Sequence, residues 1–214
     1  IQENYLNIKS QFPEEVQLVA VSKTHPVESI LEVYNAGQRI FGENKVQEMV
    51  EKSQELPQDI QWHLIGHLQS NKVKYIAEFV DTIQSVDSEK LLDEINRQAE
   101  KHHRKINIYL QIKIAQEDTK SGMEASEAKI IFEKWLAGTW PNVKISGLMG
   151  MATFTHDEKQ WRKEFSSLKT LFDEFSAIHP LEFLSMGMSG DYAVAIECGA
   201  NSVRISSAIF GSRS

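Results

Sequence analysis

The stretch Gln17–Gly42, with the sequence QLVAVSKTHPVESILEVYNAGQRIFG, contains a strand, a helix and a second strand by pattern. The first apolar run, Gln17–Val21, is short and almost continuously apolar, as strands covered on both faces are. A helix is predicted over Val27–Ala36, because a proline precedes it and a glycine ends it. A second short apolar run, Arg39–Phe41, follows. This order favours an α/β architecture.

The same order continues along the chain, and eight strands are predicted in all. They are Gln17–Val21, Arg39–Phe41, Gln61–Ile65, Asp81–Val86, Ile106–Ile114, Ile145–Met151, Glu182–Met186 and Ser202–Ile205. The predicted helices are Val27–Ala36, Lys45–Glu55, Ser70–Phe79, Ser88–His102, Ala125–Leu136, Asp157–Ile178 and Asp191–Cys198. Eight such strands predict a (β/α)8 TIM barrel of the α/β class. The alternative is an open doubly wound sheet, although the GxGxxG and GxxxxGK[ST] fingerprints of such sheets are missing.

Length and composition limit what this protein can be. The chain has 214 residues, which is short for a barrel of roughly 250 residues, so we expect lean loops and one domain over residues 1–214. Its 30 acidic and 23 basic residues give a net charge of -7, which argues against a broad nucleic-acid surface. No apolar run approaches the roughly 20 residues of a membrane helix. Cys198 is the only cysteine and the first residues are too polar for a signal peptide, so we expect a cytoplasmic protein. We also expect it to be a monomer.

Lys23 is the first candidate for chemistry. Functional residues of barrels lie at the carboxyl ends of strands, and Lys23 follows the first strand on the same face as Val19 and Val21. A partly desolvated amine has a lowered pKa and can act as a nucleophile near neutral pH. The alternative is that Lys23 only reaches solvent from the strand end.

The loops after the last two strands form a second candidate site. Barrels often hold a phosphate there, and these loops carry the candidate ligand residues Met186, Ser189, Arg204, Ser206 and Ser207. The serines at 189 and 207 could instead be helix N-caps. A lysine opposite a phosphate site fits a phosphorylated aldehyde such as pyridoxal 5′-phosphate, and it also fits a lysine-dependent sugar-phosphate aldolase.

The remaining loops carry weaker candidates. Asn44 follows the second strand and is either a ligand contact or a helix cap. His63 and His67 are four residues apart, but that spacing does not converge on a strand plus a turn, so no metal site is predicted. The stretch Glu117–Gly122 could close over the barrel mouth or be a polar turn.

Seven motifs together resemble the pyridoxal phosphate homeostasis protein family. They are AVSKTHP, FGENKVQE, WHLIGHLQSNK, EDTKSG, GLMGMAT, LSMGMSGD and VRISSAIFG, and they cover the chain roughly from Val16 to Gly211. The resemblance implies a fold-type III barrel similar to the N-terminal domain of alanine racemase. It implies pyridoxal phosphate held as an internal aldimine on Lys23, with the phosphate on Ser189 and the Ser206–Ser207 pair, and with Arg204 facing the pyridine nitrogen.

The resemblance also implies a carrier of the cofactor with little or no catalysis of its own. An arginine cannot lend a proton to the ring nitrogen, and racemisation needs acid/base groups on both faces, for which the racemase uses a tyrosine of a second domain. The alternatives are a small amino-acid racemase, the lysine-dependent aldolase, and a barrel that mainly contacts apo-enzymes requiring the cofactor. This chain has Ser206–Ser207 where the family usually has Gly-Thr, so altered cofactor binding is expected.

Overall fold

The fold, taken from a computed structural model, is described for residues 1–118 and 121–212. The strands of this part are β1 Gln17–Val21, β2 Ile40–Glu43, β3 Gln61–Leu64, β4 Thr82–Val86, β5 Ile106–Gln111, β6 Val143–Met149, β7 Phe183–Ser185 and β8 Ser202–Ile205. The helices are α1 Gln2–Ser10, α2 Val27–Asn35, α3 Val46–Glu55, α4 Glu89–Lys101, α5 Ala125–Leu136, α6 Glu158–Ile178, α7 Tyr192–Glu197 and α8 Ser207–Phe210, with a 3₁₀ helix at Ser70–Tyr75.

The strands form a closed parallel barrel in the order β1 to β8. Closure is made by β8, which pairs with β1 from Gln17 opposite Ser202 to Ala20 opposite Ile205. The predicted (β/α)8 barrel is therefore confirmed, and the open-sheet alternative is wrong. A closed barrel brings the carboxyl ends of all its strands to one rim, so residues far apart in sequence meet there.

Several element boundaries differ from the predicted ones. The stretch predicted as the helix Ser70–Phe79 forms a short 3₁₀ helix instead, and the polar N-terminal helix α1 was not predicted. β5 ends at Gln111, and the next residue, Ile112, forms an isolated bridge with Met123. β6 begins at Val143, which pairs with the start of β5. Strand ends are set by pairing with neighbouring strands of the barrel. The local pattern of apolar residues does not show which residues pair, so it does not predict the ends.

The hydrophobic core lies between the barrel and its surrounding helices. On α6, an apolar stripe at a spacing of three to four residues runs from Trp161 to Phe175, and its Phe165, Leu168 and Phe175 side chains are buried. The rings of Phe132 and Phe175 stack with centroids 4.5 Å apart, a geometry favourable for aromatic pairs. Within the described residues, no helix combines the length and the apolar character needed to cross a bilayer.

Polar side chains fill part of the barrel interior. The buried His63 lies 2.9 Å from the Gln84 amide, and the Ser185 hydroxyl donates to the Gln84 carbonyl oxygen at 2.7 Å. The Ser202 hydroxyl donates to Gln17 at 3.0 Å. Buried polar groups must be hydrogen-bonded in this way to offset their desolvation. These bonds make the strand centres a rigid base for the residues at the rim.

Candidate functional site

A cavity of about 510 Å³ opens among the loops that follow the barrel strands. It brings together six of the seven predicted site residues: Lys23, Asn44, Ser189, Arg204, Ser206 and Ser207. Met186 is the exception, because its side chain is fully buried in the hydrophobic core and does not line the cavity. The size and concavity of this space suit a small-molecule ligand.

Lys23 lies in the cavity wall at the end of β1. It is half-buried and lines the cavity together with Val21, so both face inward as the strand alternation predicted. Lys23 is the second residue of a tight turn in which the His25 amide donates to the Ser22 carbonyl at 3.1 Å. The third residue, Thr24, has a φ of +65°. The amine is thus carried by a short, sharply bent segment at the rim.

Arg204 is a buried cation in the same cavity. Its side chain on β8 is 3 % exposed. One terminal nitrogen donates to the Gly150 carbonyl at 2.8 Å and the other lies 3.5 Å from the Met149 sulfur, while Nε has no hydrogen-bond partner among the described residues. Burial lowers the pKa of Arg204 to about 10, although the negative charge of Asp191 raises it. Because buried donors are normally satisfied, this guanidinium is prepared for a ligand that accepts a hydrogen bond.

The loops after β7 and β8 are hydrogen-bonded to each other. The Ser206 amide donates to the Ser189 hydroxyl oxygen at 3.2 Å, and the Ser206 hydroxyl donates to the Val21 carbonyl at 2.9 Å. Ser207 is exposed to the cavity as the first residue of α8. The N-cap positions of α7 and α8 are Asp191 and Ser206, so the alternative reading of Ser189 and Ser207 as N-caps is wrong.

One wall of the cavity was missed by the sequence analysis. It is the loop that follows β6, with Met151, Ala152, Thr153, Phe154, Thr155 and His156, together with Trp161 of α6. The Trp161 indole donates to the Thr153 carbonyl at 3.2 Å, so this ring braces the loop as well as packing against the core. The rule that barrel sites follow strand ends applies equally after β6, and it would have located this wall.

The two histidines of WHLIGHLQSNK occupy different places. His63 is inside the barrel, whereas His67 is exposed at the cavity mouth. In residues 1–118 and 121–212, no three side chains among His, Cys, Asp and Glu are grouped closely enough to hold a metal ion. In the predicted mouth loop Glu117–Gly122, Thr119 and Lys120 lie outside the described residues.

Next to Lys23 lies a polar group that we call the Lys52 cluster: Ser22, Thr24, Glu43, Glu48 and Lys52. Its Ser22, Glu43 and Lys52 are buried. The Lys52 ammonium donates to the Ser22 carbonyl at 2.8 Å, to Glu43 at 3.0 Å and to Glu48 at 2.6 Å. Glu43 also accepts a short hydrogen bond from the Ser22 hydroxyl, and Glu48 accepts one from the Thr24 amide at 2.6 Å. Two carboxyl groups therefore share one ammonium.

The two carboxyls of the cluster have opposite pKa shifts. Burial raises the pKa of Glu43 to about 7, although hydrogen bonds from Ser22 and Lys52 oppose the shift. Burial also opposes ionisation of Glu48, but hydrogen bonds from Lys52 and Thr24 outweigh it and lower the pKa of that carboxyl. Carboxyls that share a site commonly separate in this way, because both cannot ionise at low cost.

The pKa of Glu43 predicts a pH-dependent stability. Between the ordinary value of 4.5 and about 7, the folded chain keeps a proton that the unfolded chain has lost, so rising pH favours unfolding. The contribution of Glu43 is complete below pH 4.5 and is lost by about pH 7. At about 1.4 kcal/mol per pKa unit, the loss amounts to about 3–4 kcal/mol. Denaturant unfolding should show Glu43→Gln gaining stability relative to the original chain as pH rises from 5 to 8. A difference that stays constant or shrinks over this range contradicts the prediction.

Comparisons with known proteins place the chain in a family. The family model described as alanine racemase, N-terminal domain, matches residues 1–214. The pyridoxal phosphate homeostasis protein of Pasteurella multocida is 42% identical over 204 residues, which cover 92% of this chain and 87% of that protein. The protein of the same name from Vibrio alginolyticus is 41% identical, with 100% of this chain and 97% of that protein covered. The chain belongs to the pyridoxal phosphate homeostasis protein family.

Solved structures agree with membership of this family. PipY of Synechococcus elongatus, solved without pyridoxal phosphate, has a TM-score of 0.92 at 37% identity, covering 99% of this chain and 100% of that one. PipY with pyridoxal phosphate bound has a TM-score of 0.89 at 36% identity, covering 98% and 99%. Alanine racemase of Clostridium difficile has a TM-score of 0.83 at 15% identity, covering 99% of this chain and 56% of that one, and shares the fold.

Ser206 is held by hydrogen bonds to two neighbouring elements. Its hydroxyl donates to the Val21 carbonyl at 2.9 Å, and its amide donates to the Ser189 hydroxyl oxygen. Both donors of Ser206 are therefore used inside the protein. The side chain ties the end of β8 to the end of β1, next to the turn that carries Lys23.

Proposed function

We propose that this protein binds pyridoxal 5′-phosphate, anchors it covalently on Lys23, and buffers or delivers it with little or no catalysis of its own. The observation that carries the proposal is that Lys23 and the buried Arg204 line one cavity. The names of the relatives and the pyridoxal phosphate bound to PipY support it. When bound, the cofactor supplies an aldehyde that combines reversibly with primary amines.

The residues of the cavity fit this group. The unpaired Nε of Arg204 suits a neutral acceptor such as a pyridine nitrogen, and the Lys23 amine suits an aldehyde carbon. Asn44, which also lines the cavity, offers an amide donor and an amide acceptor to the polar substituents of the ring. A cation, an amine and an amide thus surround a space suited to a polar aromatic ring.

The phosphate would lie between the loops after β7 and β8. Because the Ser189 oxygen accepts from the Ser206 amide, its own hydroxyl hydrogen can be donated to a ligand. Ser207 offers a second hydroxyl at the start of α8, where backbone N–H groups favour an anion. The Ser206 hydroxyl is already donated to Val21, so we infer that Ser189 and Ser207 make the main side-chain contacts to the phosphate.

Arg204 favours the carrier over the racemase. With a pKa of about 10 the guanidinium stays charged at neutral pH, so it donates a hydrogen bond to the ring nitrogen without transferring a proton. An unprotonated ring withdraws electrons weakly. Racemisation would need acid/base groups on both faces of the cofactor. This arrangement supports binding and release rather than carbanion chemistry.

Delivery would bring the cavity mouth against apo-enzymes that require the cofactor. Phe154 is 89% exposed and Met188 is 42% exposed, and both line the cavity. Apolar side chains displayed together are typical of protein contact sites. The lone cysteine, Cys198, is consistent with the reducing cytoplasm, and we propose a cytoplasmic monomer, which size-exclusion chromatography with light scattering would check.

The near-ultraviolet and visible spectrum tests the proposal directly. Purified protein incubated with pyridoxal 5′-phosphate should gain an absorption band, and borohydride reduction followed by peptide mapping should find the adduct on Lys23. Exchange of an amino-acid α-proton into heavy water at useful turnover would favour a racemase. A colourless protein that borohydride traps only with an added sugar phosphate would favour an aldolase and overturn the proposal.

A further inference from the structure

The turn that carries Lys23 has a strained backbone. Thr24 has a φ of +65°, in the left-handed region that a β-branched residue rarely adopts and that glycine adopts readily. The turn is closed by the amide of His25 on the carbonyl of Ser22 at 3.1 Å, so its two central residues are Lys23 and Thr24. Strain of this kind persists only where the surrounding structure holds it.

The Lys52 cluster holds the turn on both sides of Lys23. The Glu48 carboxylate accepts from the Thr24 amide at 2.6 Å, and the Lys52 ammonium donates to the Ser22 carbonyl at 2.8 Å. Glu43 accepts from the Ser22 hydroxyl. Charged groups make stronger hydrogen bonds than neutral ones, so the peptide units before and after Lys23 are fixed to α3, and the Ser22 side chain is fixed to β2.

These three charged residues have no place in the cavity itself. Glu43, Glu48 and Lys52 are absent from its lining, and Glu43 and Lys52 are 0% and 6% exposed. The ammonium of Lys52 has three hydrogen atoms, and Ser22, Glu43 and Glu48 accept all three. Lys52 therefore has no donor left for a ligand, and its role must act through the turn.

We propose that Glu43, Glu48 and Lys52 are positioning residues that hold the strained turn so that the anchoring lysine points into the cavity. This inference rests on the proposed function, in which Lys23 takes up the aldehyde of pyridoxal 5′-phosphate. It predicts that loosening the turn lowers the affinity for ligands that form a covalent bond with Lys23. The affinity for ligands that cannot form this bond should not change.

Glu48→Ala tests the inference with two ligands. Pyridoxine 5′-phosphate carries an alcohol where pyridoxal 5′-phosphate carries its aldehyde, so it cannot form a covalent imine with an amine. Loss of the hydrogen bond to Thr24 should lower the affinity for pyridoxal 5′-phosphate about tenfold. The affinity for pyridoxine 5′-phosphate should change less than twofold. The inference is overturned if the affinities for both ligands fall by the same factor, or if neither affinity changes. Because the Glu48 side chain is 24% exposed, its removal leaves no large buried cavity.

Thr24→Gly provides a rescue. Glycine adopts a φ of +65° without strain, so the turn no longer needs the carboxylate. In the Glu48→Ala background, Thr24→Gly should restore the affinity for pyridoxal 5′-phosphate to within about threefold of the original chain. Failure of this rescue overturns the role assigned to backbone strain. Glu48→Gln keeps an acceptor for the Thr24 amide and should lose less affinity than Glu48→Ala; an equal loss contradicts the hydrogen-bond argument.

Two further proteins separate this inference from the proposed function. Glu51→Ala removes an exposed glutamate of the same helix whose partner is Gln47, and it should bind both ligands like the original chain. The original chain must itself show the borohydride-trapped adduct on Lys23. If it does not, the proposed function fails; if it does and Glu48→Ala matches it with both ligands, only the positioning role fails.

Discussion

Lys23→Ala is expected to abolish covalent attachment of pyridoxal 5′-phosphate and to weaken its binding roughly 100-fold or more, which corresponds to about 2.7 kcal/mol. Alanine removes the amine at the end of β1 and leaves the phosphate loops and Arg204 in place. The absorption band of the bound cofactor should disappear, and borohydride should trap no adduct. Affinity for pyridoxine 5′-phosphate should change less than twofold, because that ligand makes no bond to the amine.

The matched control for Lys23 is another lysine of the neighbouring loop. Lys45 is exposed, precedes α3 and does not line the cavity, so Lys45→Ala should keep the band and the adduct. Retention of the original spectrum by Lys23→Ala, or an adduct trapped on a different lysine of the original chain, would refute the assignment of the anchor.

Arg204→Met is expected to lower the affinity for pyridoxal 5′-phosphate without a large loss in the free energy of unfolding. The guanidinium is buried, its partners are one carbonyl and one thioether, and Nε is unpaired. Replacing a buried ion pair by apolar side chains of similar volume is often neutral or stabilising by about 1–4 kcal/mol, and we expect a gain of the same sign from removing this buried charge. The lost bond to Gly150 costs about 1–3 kcal/mol. The ligand-free variant should therefore be within about 2 kcal/mol of the original chain or more stable. Its affinity for pyridoxal 5′-phosphate should fall tenfold or more, because the donor to the ring nitrogen is gone.

Denaturant unfolding and ligand titration measure the two effects, and Arg104→Met is the control. Arg104 donates to the carbonyls of Ala77 and Val80 at 2.7 Å and 2.8 Å and does not line the cavity. That variant should lose stability and keep its affinity. Two results would contradict this prediction. The free energy of unfolding of Arg204→Met could fall by more than about 2 kcal/mol, or its affinity for pyridoxal 5′-phosphate could be unchanged.

Strand periodicity predicted the position of Lys23 from local information. The run Gln17–Val21 is short and its ends are clear, so the alternation of side chains extends by two residues to Lys23, which lines the cavity. The loops after β7 and β8 were predicted for a similar reason, because a barrel brings successive strand ends to one rim. Met186 precedes the part of that loop that lines the cavity, which begins at Met188, and its side chain packs in the core.

Periodicity could not show how far along the barrel a side chain lies. Trp161 belongs to the apolar stripe of α6, but it lies at the rim and lines the cavity, whereas Phe165 and Phe175 are buried deeper. The stripe identifies the face of the helix that is turned to the barrel. It contains no information on which end of the helix meets the mouth.

The sequence by itself determined the alternation of strands and helices, the lysine at the end of β1 and the two serine-bearing loops, because these depend on patterns within a few neighbouring residues. Only the tertiary structure decided that the Ser206 hydroxyl is used on Val21, that Arg204 is buried with an unpaired nitrogen, and that Lys52 reaches the Ser22 carbonyl. Such contacts join side chains to backbone groups 30 to 185 positions away. Their partners are set by the closure and register of the barrel, which no local pattern specifies.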